Sequence, residues 1–112
     1  MNKGSIKNGR KTLFSNKTFD NLNEANKVRD ILMEKRLIAS GGITPMDSKC
    51  FWKGKIEHTS EYYLQMITKK NLFNEIVQEI EKLHTYETCG ILMYDIMQGN
   101  VDFLKWIDEE TK

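Results

Sequence analysis

Apolar positions recur along this chain in two rhythms, and their succession gives an order of elements. Between Asn23 and Lys35, residues Ala25, Val28, Ile31 and Leu32 follow three-four spacing, the period of a helix with one apolar face. Asn21 or Asn23 is placed to cap its start. The Lys35-Arg36 pair at its end suits the negative pole of the helix dipole. A cleaner stripe follows Asn71: Leu72, Phe73, Ile76, Val77, Ile80 and Leu83 share one face, and Glu75, Gln78, Glu79, Glu81 and Lys82 share the other. Elsewhere the pattern is that of strands. Lys11 to Phe19 carries Leu13, Phe14 and Phe19 and is interrupted by Asn16 and Lys17. Ile38 to Phe51 is extended but contains Gly41, Gly42 and Pro45, which mark a bend or bulge. Trp52-Lys53-Gly54-Lys55 reads as a hairpin turn with Gly54 at positive φ. The return strand runs from Ile56 to Thr68, with most of its apolar residues in Tyr62 to Thr68. Thr88 to Met97 is a further strand. Gly99-Asn100 is a turn that can also cap the next helix, Val101 to Ile107 a short helix, and Asp108 to Glu110 an acidic tail that frays.

The order is β-α-β-β-α-β and a short terminal helix, the split βαβ pattern of ferredoxin-like α+β domains. Met1 to Arg10 is expected to be a flexible N-terminal arm, and residues 11–112 the domain. Helices should cover one face of an antiparallel sheet. Strands this apolar need cover on the other face as well, and the simplest cover is another copy of the chain.

Length and charge narrow the function classes. The chain has 112 residues, enough for one domain, and a net charge of +1, which gives no electrostatic case for nucleic acid. No apolar run reaches the length of a membrane span, so no membrane partner is expected. Cys50 and Cys89 belong to no Cys-x-x-Cys or Cys/His array. With the polar, basic stretch from Met1 to Arg10, they favour a reducing, cytoplasmic setting. Paired carboxylates, a P-loop and a nucleophile elbow are missing, so the chain is not expected to be an enzyme. A Cys89/His84 pair would need hydrogen-bond reach and a lowered thiol pKa. A cysteine leading an apolar strand is more often an inert buried residue.

Four patches carry a resemblance to a known family. Phe51-Trp52-Lys53-Gly54-Lys55-Ile56-Glu57 resembles the aromatic-Trp-x-Gly-Lys-x-Glu hairpin of the CutA family of divalent-cation tolerance proteins. Leu83-His84-Thr85-Tyr86-Glu87 is similar to that family's Leu-His-Pro-Tyr-Glu signature. Glu34-Lys35-Arg36-Leu37-Ile38-Ala39 resembles its Glu-x-Arg-Leu-Ala-Ala helix end. Gly99-Asn100-Val101-Asp102-Phe103-Leu104-Lys105-Trp106-Ile107 is similar to its Gly-Asn-x-x-Tyr-Leu-x-Trp-Ile ending. They stand in family order and cover about residues 20–107. The resemblance implies a ferredoxin-like homotrimer, similar in architecture to PII signalling proteins, with hairpin strands pairing across subunits. It also implies a role in the response to metal ions, with copper foremost. Ser40 stands where many members have Cys, Thr85 where Pro is usual, and Cys89-Gly90 where Pro-Glu is usual.

Two kinds of chemistry are open to the motif residues. His84 is the candidate metal ligand, with a divalent metal such as copper as the implied cofactor; Cys50, His58, Glu57, Glu87 and Cys89 are possible companions. Spacing supplies no set of three or four ligands. Alternatively, His84 bonds backbone groups at a helix end. Trp52, Lys55, His84, Tyr86 and Glu87 together offer an aromatic wall, a cation and an imidazole, which would suit a small-ligand cleft between subunits. Equally, Trp52 and Tyr86 are typical interface anchors. The alternative function is a structural, scaffolding trimer with no ligand of its own. Met33, Met46, Met66, Met93 and Met97 are expected to fill gaps in the core rather than to hold copper.

Overall fold

The computed structural model describes residues 5–7, 12–83 and 90–112, with side chains from 17 to 83 and from 90 to 112. The elements are β1 (Ser5–Lys7), β2 (Thr12–Phe19), α1 (Leu22–Glu34), β3 (Ser40–Trp52), β4 (Lys55–Lys69), α2 (Phe73–Leu83), β5 (Ile91–Asp95), β6 (Gln98–Asn100) and α3 (Val101–Glu110). β2 to β5 form one antiparallel sheet in the order β3-β4-β2-β5, as the split βαβ pattern requires.

Local chemistry sets the boundaries. Asn21 caps α1, its side-chain oxygen accepting the Glu24 N–H at 3.1 Å. Arg36 then takes φ 58°, while its N–H bonds Met33 O at 3.0 Å and the Leu37 N–H bonds Leu32 O at 2.9 Å. This double bond pattern closes the helix at a left-handed residue, a position glycine usually fills. The Lys35-Arg36 pair therefore does not serve the helix dipole from inside the last turn. Lys35 turns instead to Glu79 of α2, 2.8 Å away.

The core lies between the sheet and α1 and α2. Phe19, Val28, Leu32, Leu64, Met66, Ile76 and Ile80 are all fully buried there. Their spacing is the three-four stripe of each helix and one face of β4. A smaller cluster on the other face, Ala39, Leu104 and Ile107 with Ile67, seats α3.

Several expectations are corrected. β3 contains no bulge: its register with β4 is unbroken from Ser40↔Ile67 to Trp52↔Lys55. Pro45 is tolerated because β3 is the edge strand, where a missing N–H costs no ladder bond. The acidic tail does not fray. α3 runs to Glu110, the buried Thr111 hydroxyl bonds Ile107 O at 2.9 Å, and the Lys112 N–H bonds Arg36 O at 3.0 Å. Gly99-Asn100 belongs to a strand rather than a turn, and that strand pairs with Ser5–Lys7 inside the segment expected to be a flexible arm. Three residues with one apolar member carry no periodicity to reveal such a strand. Among the methionines, Met66 is core, but Met33 and Met97 are exposed, so they fill no gap.

Candidate functional site

The β3–β4 hairpin is the longest feature of the chain, and its sequence explains its shape. Its turn is two residues long, Lys53 at φ 50° and Gly54 at φ 80°. Two consecutive left-handed residues match the twist of the flanking strands. The ribbon runs past the rest of the sheet. β2 accompanies β4 only from Lys69 to Tyr62, and Lys55 to Glu61 have β3 alone as neighbour among the described residues. The tip carries Phe51, Trp52 and Ile56, all exposed.

Of the five cleft residues expected from sequence, the structure brings two together. Trp52 and Lys55 are direct cross-strand partners at the turn, and Lys53 Nζ stands 5.6 Å from the Trp52 ring centroid. His84, Tyr86 and Glu87 lie outside the described residues, as does Cys89. The possible metal companions on the ribbon are separated. His58 faces Lys49 and Cys50 faces Glu57 in adjacent register positions, so alternation puts Cys50 and His58 on opposite faces. His58 Nε2 contacts Asp47 Oδ1 diagonally across the strands. Among the described residues no three His, Cys, Asp or Glu side chains converge to hold a metal ion. The described donor set therefore does not fit a closed divalent site.

Two clefts escaped the sequence reading. One, of about 300 Å³, lies between the sheet and α3, with Thr44 and Gln65 on one side and Phe103 and Trp106 on the other. The second, of about 270 Å³, opens where β2 ends and is lined in part by Lys17, Asp20 and Glu61. Lys17 had a visible signal. Strand alternation sets it on the same face as Phe19, and it pairs with Leu64 and Ile91 in the middle of the sheet. A lysine there is out of keeping with its neighbours.

An antiparallel β3-β4-β2-β5 sheet with two helices on one face and a projecting hairpin defines an α+β protein of the ferredoxin-like class. The chain belongs to the CutA1 divalent ion tolerance protein family, whose profile matches residues 14–110. The divalent-cation tolerance protein CutA of Pyrococcus horikoshii is 36% identical over 85% of this chain and 93% of its own length. The protein of that name from Archaeoglobus fulgidus is 37% identical over the same shares. A solved structure of the periplasmic divalent cation tolerance protein CutA of A. fulgidus superposes with a TM-score of 0.86 at 35% identity, covering 90% of this chain and 99% of that one. CutA from Synechococcus elongatus reaches a TM-score of 0.90 at 20% identity over 98% and 97%, which extends the likeness of fold.

Proposed function

We propose that the chain is a homotrimeric binding module acting in the response to divalent cations, copper foremost, in the cytoplasm, and that it is not an enzyme. The carrying observation is the open edge of β4. A stretch of strand with one open edge is a template for another chain, and among the described residues Lys55 to Glu61 have such an edge on the side away from β3. Exposed apolar residues lie beside it at the tip, Phe51 at 77% and Ile56 at 65% exposure, and on the uncovered sheet face, Leu92 and Tyr94. Pairing around a closed ring satisfies every edge, whereas an unclosed arrangement would grow into fibres. Membership of the divalent ion tolerance family supports the cation role. Trp52 and Lys55, with His84, Tyr86 and Glu87, are the proposed ligand contacts, and His84 is the proposed metal contact. The exposed free thiol of Cys50 suits a reducing compartment.

A structural trimer without a ligand is the second reading. It is favoured by the lack of a converging metal-ligand set among the described residues. Calorimetric titration of the purified protein with copper(II) separates the two. Saturable binding that weakens at least tenfold in His84→Ala supports the metal role. Binding that is absent, or indifferent to that substitution, leaves the structural reading.

A further inference from the structure

Among the described residues three glycines lie inside strands, and the packing of the chain accounts for two of them. A methyl group at Gly41 would come within 2.8 Å of Arg29 Cγ, and one at Gly99 within 2.9 Å of Leu104 Cδ2. Gly42 has no such reason. It stands opposite Gln65 of β4, and a methyl group there would meet nothing within 4 Å. A glycine inside a strand weakens it, and it often marks a place where a ligand or another backbone comes close. Alternation sets Gly42 on the face that carries Ser40, Thr44, Gln65 and Ile67, the face on which α3 is seated. The open space beside it is the cleft of about 300 Å³ between the sheet and α3.

The lining of the cleft sets the chemistry of its occupant. Ser40, Gly42, Thr44 and Gln65 form the floor, and Phe103 and Trp106, with ring centroids 5.4 Å apart, form the wall on α3. No lining residue is charged, so a bare ion finds no countercharge. The two hydroxyls and the amide each donate and accept hydrogen bonds, and among the described residues none of the three side chains is engaged in one. Such groups match hydroxyls, which also do both. The faces of aromatic rings are electron-rich and attract weakly positive C–H groups. A sugar ring presents both features, hydroxyls at its rim and C–H groups on its face. The volume stands at the lower end of small-ligand pockets, roughly 300 Å³, and suits one ring rather than a chain of them. Leu92 and Tyr94 belong to β5, two strands away from β4, so the apolar surface assigned to the proposed ring of copies lies at the other margin of the sheet. We propose that this cleft binds an uncharged monosaccharide, its C–H face on Phe103 and Trp106 and its hydroxyls on Ser40, Thr44 and Gln65. The site is separate from the proposed cation role and does not depend on it.

The probes are D-glucose, D-galactose and D-mannose. Glycerol, with hydroxyls but no ring face, and cyclohexanol, with a ring face but one hydroxyl, are the controls. Amide and indole N–H chemical shifts of the full-length protein are followed during titration. At least one hexose should saturate shifts at Gly42, Gln65 and the Trp106 indole, and bind about fivefold or more tightly than either control. Gly42→Val should abolish this response and still fold, since its side chain enters open space and valine suits a strand. Trp106→Leu keeps an apolar side chain but loses the flat face, and should weaken binding about fivefold or more. If Gly42→Val alters the fold, Trp106→Leu and the wild-type controls still decide. The proposal is overturned if no hexose saturates, if glycerol or cyclohexanol binds as tightly, or if binding survives in a folded Gly42→Val. Sedimentation tells the other occupant apart. A Gly42→Val variant that sediments as wild type and binds no hexose supports the sugar site. One that loses its partners, with no hexose response in wild type, gives the cleft to a second copy and overturns it.

Discussion

Glu79 shows how single residues tie the elements together. It projects from α2 and is mostly buried. It accepts a hydrogen bond from Lys35 at 2.8 Å and another from Lys82 at 3.3 Å. The Lys35 bond is the main reason its carboxyl is held below the ordinary value of 4.5; partial burial opposes the shift, and the Lys82 bond and the two ammonium charges add to it. The sign of the pH dependence follows. A carboxyl whose folded pKa is depressed releases its proton more readily when folded, so it contributes stability above its unfolded value and loses that contribution as pH falls through the folded one. Wild type should melt above Glu79→Gln at about pH 7, and the gap should narrow as the pH is lowered below the ordinary carboxylate range. Thermal melts across that range test it. A gap that is constant with pH would mean that the carboxylate's charge contributes nothing.

The hairpin makes the corresponding case for elements. Its turn asks two consecutive residues to be left-handed, and only one of them is glycine. Gly54→Ala should cost about 1–2 kcal/mol, the penalty of a left-handed L-residue. Lys53→Asn should be neutral or stabilising by less than about 1 kcal/mol, since asparagine tolerates that region. Denaturant titration reads both, and equal melting of wild type and Gly54→Ala would refute the turn geometry. The hairpin was legible in sequence because Gly54 sits between two strand-like runs, and α2 because Leu72, Ile76 and Ile80 keep strict helical spacing. What sequence hid was tertiary. Pro45 read as a break because nothing local says that β3 is an edge strand. The acidic tail read as frayed because the contacts holding it come from Arg36, more than seventy positions earlier. Of the candidate cleft, motif spacing indicated that Trp52 and Lys55 flank the hairpin turn, as they do, but the Lys17 notch depends on β2 ending before β4 does, a fact of register rather than of pattern.

For the whole molecule, one consequence of the sheet order is decisive. α1 and α2 cover one face, while α3 reaches only one end of the other, around Ala39 and Ile67. Leu92 and Tyr94 of β5 stand 55% and 49% exposed on that other face. Together with the unpaired stretch of β4, they give a single chain both an open strand edge and an apolar face. Either feature alone is a liability, and a closed ring of copies removes both. Placing two ammonium groups on the face should break up the proposed ring without disturbing the core, because neither residue belongs to a buried cluster. Sedimentation of wild type should give three 13.1-kDa chains, and the Leu92→Lys, Tyr94→Lys double variant should give one, with circular dichroism unchanged. A wild type sedimenting as one chain would remove the trimer outright. A double variant that still sediments as three would show that the strand edge, and not the apolar face, holds the copies together.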